Sequence, residues 1–563
     1  MNSNERPLVP PSSFPRTRAR AVFPRVAMGF GILGLLLMFS LTAAGQQSND
    51  TIARNHPFMG WSTWSLQDHF GTSEPTGDAF ENEVNVKANS DAMRSTGLQA
   101  HGYEYINVDG DWDYGLMCQC GDPMGWDAYG RPVGDPKRFP SGMAALASYI
   151  HGNGQKAGIY WEGGIPPQVY AANTPIMGTP YHVQDIALQP LTTEFNSFYV
   201  IDFTKPGAQE YINSIIQEFA EWGYDYLKVD GVKNVDRDNV AAISKAIQLM
   251  GRPIYLNLSS NLNHDLAGWW ERYTSGRRID GDIECSRRTC TTALTWWWNP
   301  AAGPAAGTGS APAGIFARFT DPLVSGWVDD YGKGLGWNDY DSLEVGNGSI
   351  TSYPSSSKEI LVTSQAALQP SPDTMSGHIA YTDGLANHDE RQSAVTMWAI
   401  GGSTLQLGAD LTLLDSEGID LLTNDEVIAV DQSGRHGDPV YETTYTYSSE
   451  PRGSTVITTA TVNVGMVWEQ ALCDGTYYVA LFNLDMGKTG QPATVSVNWA
   501  DLGFSGSAEV RDLWQHDELG VMATGYSVSL NPHGSALIRV KPLDAGGPPW
   551  FRPTIPGCPA PGF

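Results

Sequence analysis

The chain has 563 residues, 41% of them hydrophobic, 17% charged and 11% aromatic, and carries a formal net charge of −27. This composition excludes a disordered or collagen-like chain, supplies apolar material for a large core, and at this length calls for two or more domains. The acidity argues against a nucleic-acid binder, which needs a basic face, and names no other partner.

Residues 1–45 read as a signal peptide. Arg16, Arg18, Arg20 and Arg25 precede the uncharged stretch VAMGFGILGLLLMFSLTAA (26–44), and the small residues Thr42, Ala43 and Ala44 offer a cleavage site before polar QQSND. The mature protein is expected to be secreted or periplasmic and free of the membrane. Left uncleaved, the same 19 residues are just long enough to span a bilayer.

From about residue 55 short apolar runs alternate with amphipathic segments. YEYINVD (103–109) is followed by SGMAALASYIHGNG (141–154), QKAGIYWE (155–162), AQEYINSIIQEFAEWG (208–223), YDYLKVD (224–230), VAAISKAIQLMG (240–251) and RPIYLNLS (252–259). The longer segments space their apolar residues as helices do and end in glycine. Strand, helix, strand repeated, with strands apolar on both faces, means a parallel sheet covered by crossover helices. Several runs end in an acid: Asp109, Glu162, Asp230 and Asp282. Acids at the C-terminal ends of strands are the pattern of a (β/α)8 barrel, expected here over 55–425. The Gly/Ala/Pro/Ser-rich stretches 291–336 and 349–381 fit no barrel element and read as long loops over one face.

After about residue 425 the texture changes. TTYTYSSE, STVITTATVNV, TYYVALFNL, ATVSVNW, SAEVRDLW, YSVSLN and SALIRVK alternate, are rich in β-branched residues and are parted by turn residues. They predict an antiparallel β-sandwich over 426–543, with a Pro/Gly-rich tail at 544–563. No row of exposed aromatics is evident there, so the sandwich reads as a packing domain. Six cysteines, Cys118, Cys120, Cys285, Cys290, Cys473 and Cys558, permit disulfides in an exported chain. Their pairing is not readable, and no spacing makes a zinc site.

The chemistry lies at strand ends. Lys228 and Asp230 in YLKVDG are two residues apart, so they share a face of their strand. A Lys and an Asp in a buried strand are either functional or a buried ion pair. RRIDGDIE (277–284) brings Arg278 and Asp282, as a second strand mouth or as a surface turn. Two carboxylates at neighbouring mouths suit acid/base work on an acetal, one at the oxocarbenium-like carbon and one at the leaving oxygen. The 18 Trp and 24 Tyr suit sugar faces, and ordinary core packing accounts for them equally well.

Taken together these segments resemble glycoside hydrolase family 27, the α-galactosidase family. PFMGWSTWSLQDHF (57–70), YINVDGDW (105–112), RPVGDPKRFPSGMAALASYIHGNGQKAGIY (131–160), YDYLKVDG, RRIDGDIE, GWNDYDSLEVGNG (336–348) and TLLDSEGIDLLTNDEVIAVDQ (412–432) follow the family's order. RDLWQHDELG and NPHGSALIRV resemble its C-terminal β-domain. The resemblance implies a retaining hydrolase that acts on a carbohydrate and needs neither metal nor cofactor. Asp230 would be the nucleophile and Asp282 the general acid/base. Lys228 would bind sugar hydroxyls and keep Asp230 ionised, and Arg278 would contact a hydroxyl. Trp61 would pack on the sugar, Tyr160 would sit beside the nucleophile, and Asp109 would accept from a sugar hydroxyl.

The departures fall in the pocket lining. The family usually has two adjacent acids for the galactose 4- and 6-hydroxyls, and here Gly110 replaces the second. Asp111 stands where a cysteine is usual, as a substitute partner or facing away. Ser260 replaces a longer polar residue near the 2-hydroxyl, and Trp161 and Glu162 replace a small residue and Asp. A pocket lacking a hydroxyl's partner discriminates strongly. The expected activity is therefore α-galactosidase-like. The alternatives are the same mechanism on an α-1,6-glucan (isomalto-dextranase-like) or a β-L-arabinopyranoside, and an inactive carbohydrate-binding protein.

Overall fold

Tyr105–Val108 and Tyr226–Val229 are buried along their whole length, so each is stable only between a filled lumen and a helix layer. The computed structural model places them so. It describes residues 56–70, 80–113, 125–192, 198–259, 262–279, 336–348, 383, 385, 387–449, 458–484 and 490–543.

In chain order the described elements are β1 (Met59–Ser62), α1 (Trp64–Phe70), α2 (Glu83–Ser95), β2 (Tyr105–Val108), α3 (Met143–Gly152), β3 (Lys156–Trp161), α4 (Pro167–Ala172) and α5 (Val183–Ile186). Then come β4 (Ala187–Thr192), β5 (Tyr199–Ile201), α6 (Ala208–Trp222), β6 (Tyr226–Val229), α7 (Arg237–Met250), β7 (Tyr255–Leu258), α8 (Ala267–Tyr273), β8 (Gly276–Arg278) and β9 (Trp337–Asp339). The barrel segment ends with α9 (His388–Gly401), β10 (Leu405–Leu407), α10 (Ser416–Leu422) and α11 (Asp425–Asp431). The strands of one eight-stranded sheet run β10-β1-β2-β3-β6-β7-β8-β9, every pair parallel. Leu343 N donates to Gln406 O at 2.7 Å and Gly408 N to Leu343 O at 3.2 Å, which joins the two outer strands. The sheet is thereby a closed (β/α)8 barrel, while β4 and β5 form a separate antiparallel hairpin.

Local sequence explains the helices. In α6 Tyr211, Ile212, Ile215, Ile216 and Phe219 are buried on one face, and Gly223 at φ +97° ends the helix in a left-handed turn. Asn82 and Asn387 cap α2 and α9 by accepting from the backbone N–H groups of Asn85 and Glu390.

The lumen is layered. Phe58, Tyr105, Tyr226 and Tyr255 plug its N-terminal end, with ring centroids 5.0–6.3 Å apart. Glycines on adjacent strands make room for them: a Cβ on Gly276 would lie 2.7 Å from the Tyr255 hydroxyl, and one on Gly158 2.9 Å from Tyr226. The alternation that puts Tyr105 and Tyr226 in the plug puts Asp109 and Asp230 at the C-terminal mouth.

The chain continues as β11 (Asp438–Ser449), β12 (Thr458–Ala471), β13 (Tyr477–Asn483), β14 (Ala493–Asn498), β15 (Ala508–Asp512), β16 (Asp517–Met522), β17 (Gly525–Leu530) and β18 (Ser535–Pro542). A six-stranded antiparallel sheet, β11-β12-β13-β18-β15-β16, packs with the β14–β17 pair around Val479, Leu481, Val497, Trp499 and Ile538. This is the expected β-sandwich. Helix α9 binds it to the barrel: Gln392 Nε2 donates to Ser535 O at 2.9 Å and Ser393 Oγ to His533 O at 2.6 Å. Its Arg391 is buried against Asp383, Asp415 and Glu417 at 2.5, 2.9 and 2.8 Å.

Candidate active site

Three strands bring charge to one mouth of the barrel. β2 leads into Asp109, β6 carries Lys228 and leads into Asp230, and β8 carries Arg278. Asp109 is fully buried. Its carboxylate accepts from Lys228 Nζ at 3.0 and 3.1 Å, Ser62 Oγ at 3.2 Å, Asn107 Nδ2 at 3.2 Å and the Gly110 N–H at 2.9 Å. The same ammonium lies 5.6 Å from the ring centre of Trp64 and 5.4 Å from that of Tyr160. A buried ion pair offsets its desolvation only when further hydrogen bonds and dipoles surround it, and these do so here.

Asp230 is half-buried, more open than Asp109. Its N–H donates to Trp161 O at 3.1 Å and its Oδ1 accepts from the Gly231 N–H at 2.8 Å, which fix the carboxylate at the end of β6. Tyr160 is close enough to feel that charge. Burial first, and then Asp230, raise the phenol well above its ordinary value, so it is a neutral hydrogen-bonding group.

Arg278 is buried, with Nη1 2.7 Å from Asp341 Oδ1. Asp341 has φ +81°, a left-handed conformation rare for a residue with a side chain, and its N–H donates to Asp339 Oδ1 at 2.8 Å. Asp339 also accepts from Asn257 Nδ2 at 2.7 Å and Thr404 Oγ1 at 3.0 Å. β7, β8, β9 and the start of β10 thus share one polar network beneath the mouth.

The turn after β2 completes the rim. Asp111 sits there half-buried at φ +69°. Behind it burial lifts Asp113 to about 8, with Asp111 and Glu162 adding and Arg138 opposing. Burial likewise holds the Glu81 carboxyl well above the usual range, against the pull of Arg138.

The structure brings together Asp109, Asp111, Tyr160, Lys228, Asp230 and Arg278. It corrects two expected sugar contacts. Trp61 has no solvent exposure and donates its indole N–H to Ala409 O at 2.7 Å. Ser62 reaches the lumen to bind Asp109, so its neighbour Trp61 must face the outer helix layer. Of the two tryptophans, Trp64 is the one beside Lys228. Trp161 is also turned outward, edge-on to Phe219 of α6 at 6.4 Å, because the next residue back, Tyr160, takes the inner face. Ser260 and Asp282 lie outside the described residues. Lys228 was expected to serve Asp230, and its ion pair here is with Asp109. The roles of Trp64, Asp339 and Asp341 went unread. For Asp341 the signal was present, as two acids one residue apart in WNDYD at the end of an apolar strand.

A cavity of about 450 Å³ opens at the opposite end of the barrel, lined by His56, Phe58, Tyr105, Lys156 and Arg252 among others. Its cations are taken by Glu104 and Asp225, each at 2.5 Å, so it offers no comparable set of reactive groups.

Comparison with known proteins agrees with this fold. The family described as alpha galactosidase A matches residues 56–174, and the alpha galactosidase C-terminal beta sandwich domain matches 466–540. An α-galactosidase of Cyamopsis tetragonoloba is 27% identical over 493 residues, covering 86% of each chain. α-Galactosidase 2 of Arabidopsis thaliana is 26% identical over 484 residues, covering 85% of this chain and 87% of that one. The crystal structure of a family 27 β-L-arabinopyranosidase from Geobacillus stearothermophilus superposes with a TM-score of 0.66 at 27% identity, covering 89% of this chain and 100% of the other.

Proposed function

Since the chain belongs to the α-galactosidase family, glycoside hydrolase family 27, and is a glycosidase of that type, we propose that it cleaves a terminal glycoside with net retention by a double displacement. Asp230 attacks the anomeric carbon while Asp282 protonates the leaving oxygen, giving a glycosyl ester. Asp282 then deprotonates a water that attacks the same carbon and releases Asp230. The observation that carries this reading is the half-buried Asp230 carboxylate two residues along the chain from Lys228 of the closed Asp109–Lys228 pair. The first is partly exposed, and the second, buried in this structure at the same mouth, would supply an acceptor and a donor to adjacent ring hydroxyls once a sugar displaces part of its mutual pairing. Tyr160, Trp64 and the Arg278–Asp341 pair line the same mouth.

Gly110 supports a second reading of the sugar. It stands where the family usually has the second of two acids for the galactose 4- and 6-hydroxyls, and β-L-arabinopyranose is the α-galactose frame without the hydroxymethyl group that carries the latter. The likeness to the Geobacillus β-L-arabinopyranosidase points the same way. Rates on 4-nitrophenyl α-galactoside, β-L-arabinopyranoside and α-glucoside, with dextran as a polymer, test both readings. Turnover of the galactoside supports the first and preference for the arabinopyranoside the second. Inertness towards all four contradicts the proposal.

Export through the N-terminal segment is part of the same reading. Cys473 is disulfide-bonded, which suits an oxidising compartment. Among the described residues no helix is long and apolar enough to cross a membrane.

A further inference from the structure

One backbone polar group of each of three consecutive rim residues is held by a side chain from elsewhere in the chain. The Asp109 N–H donates to Thr63 Oγ1 at 2.9 Å, and the Thr63 hydroxyl donates to Gln67 Oε1. Gln67 Nε2 donates to Gly110 O at 2.6 Å. Arg138 Nη2 donates to Asp111 O. Gln67 and Arg138 come from separate segments and converge on one side chain, Glu81. Its Oε2 accepts from Gln67 Nε2 at 3.2 Å and lies 3.6 Å from Arg138 Nη1. Glu81 and Gln67 are fully buried.

The turn needs such a brace. Asp111 is in a left-handed conformation that a residue with a side chain keeps only where its surroundings impose it. Gly110 itself is not forced by space: a Cβ there would meet its nearest neighbour, the Tyr160 ring, at an ordinary 3.5 Å. The shape of this wall is therefore set by what grips its backbone. Charge fits the role as well. Asp109, Asp111 and Asp113 act on Glu81 as like charges, and Arg138, the cation that opposes them among the described residues, is already bound through Nε to Asp135 at 3.0 Å. Burial first, and then those acids, raise the Glu81 carboxyl well above its ordinary value against the pull of Arg138, and so favour its neutral form as a polar link.

We propose that Glu81 is a positioning residue that, through Gln67 and Arg138, fixes the Gly110–Asp111 turn as one wall of the sugar pocket. The inference rests on the reading of the Asp109–Lys228–Asp230 mouth as that pocket. Loosening the wall weakens sugar binding, while Asp230, on a different strand, keeps its chemistry.

The test compares Glu81→Ala, Gln67→Ala and the isosteric Glu81→Gln in the full-length protein. On the aryl glycoside that the parent cleaves best, the two Ala variants are expected to raise KM about fivefold or more with kcat within about twofold, and Glu81→Gln to match the parent. Amide hydrogen exchange at Asp109 is expected to quicken about tenfold in the Ala variants and to stay at the parent rate in Glu81→Gln. Unchanged KM in both Ala variants overturns the proposal, whatever the exchange rates show. If the parent cleaves no glycoside, the functional reading has failed separately. Exchange then decides the brace alone, and parental rates in the Ala variants overturn it.

Discussion

The Lys228 ammonium bridges both carboxylate oxygens of Asp109 at 3.0 and 3.1 Å, and neither residue is open to solvent. Removing one member of such a pair leaves a buried charge uncompensated, at a cost of about 3–5 kcal/mol. Asp109→Leu and Lys228→Met alone should each lower the urea midpoint by the equivalent of that amount. The double variant should be less damaged than either single one, because both charges leave together. None of the three should retain more than about one hundredth of parental kcat/KM. A double variant as unstable as the sum of the singles would show the pair to be uncoupled.

The two tryptophans of GWSTW should separate by phenotype. Trp61→Ala removes a fully buried ring and should cost about 3–5 kcal/mol in urea, with KM near the parent's at a temperature where the variant is folded. Trp64→Ala should cost less than Trp61→Ala in urea, about 0.5–2 kcal/mol for the lost cation–π contact, and raise KM roughly two- to tenfold, the worth of an aromatic contact. The reverse pattern would put Trp61 on the sugar after all.

Gly110→Asp tests the choice of sugar. The nearest atom to a new Cβ is a Tyr160 ring carbon at 3.5 Å, so the first atom of the side chain is accommodated at ordinary contact distance. A carboxylate there supplies an acceptor for the galactose hydroxymethyl. The ratio of kcat/KM for α-galactoside over β-L-arabinopyranoside should rise about tenfold, one hydrogen bond to a charged group. An unchanged ratio would mean that residue 110 does not face the sugar's C5 substituent.

Stability should decline as pH rises, because of the rim acids. Asp113 titrates at about 8 when folded, against 3.8 in its ordinary state. Between those values the native protein holds a proton that the unfolded chain has lost, so this contribution is whole below pH 3.8 and gone above about 8. Asp113→Asn should flatten the decline and be the more thermostable protein at pH 9, with the advantage shrinking toward pH 5. Parallel melting curves at all pH values would remove Asp113 from the account.

What was legible in the sequence followed from periodicity. The barrel strands announced themselves as apolar runs ending in acids, since a strand buried on both faces has no polar side to hide. Which face each residue takes was less legible. Ser62 and Trp61, or Tyr160 and Trp161, are adjacent, and only the register of the closed barrel decides which enters the lumen. In the sandwich, β16 went unread because Asp517–Val521 are all exposed and show no alternation. The Glu81 brace could not be read at all. Gln67, Glu81 and Arg138 are parted by 14 and 57 positions and share no pattern until the chain folds.

Chemical rescue of Asp230→Gly tests the central claim most directly. With an activated aryl glycoside the variant should lose all measurable turnover. Added azide should restore it by attacking in the emptied space and releasing a glycosyl azide of inverted configuration. Full activity without azide would contradict the assignment of Asp230 as nucleophile, and so would a rescued product of retained configuration.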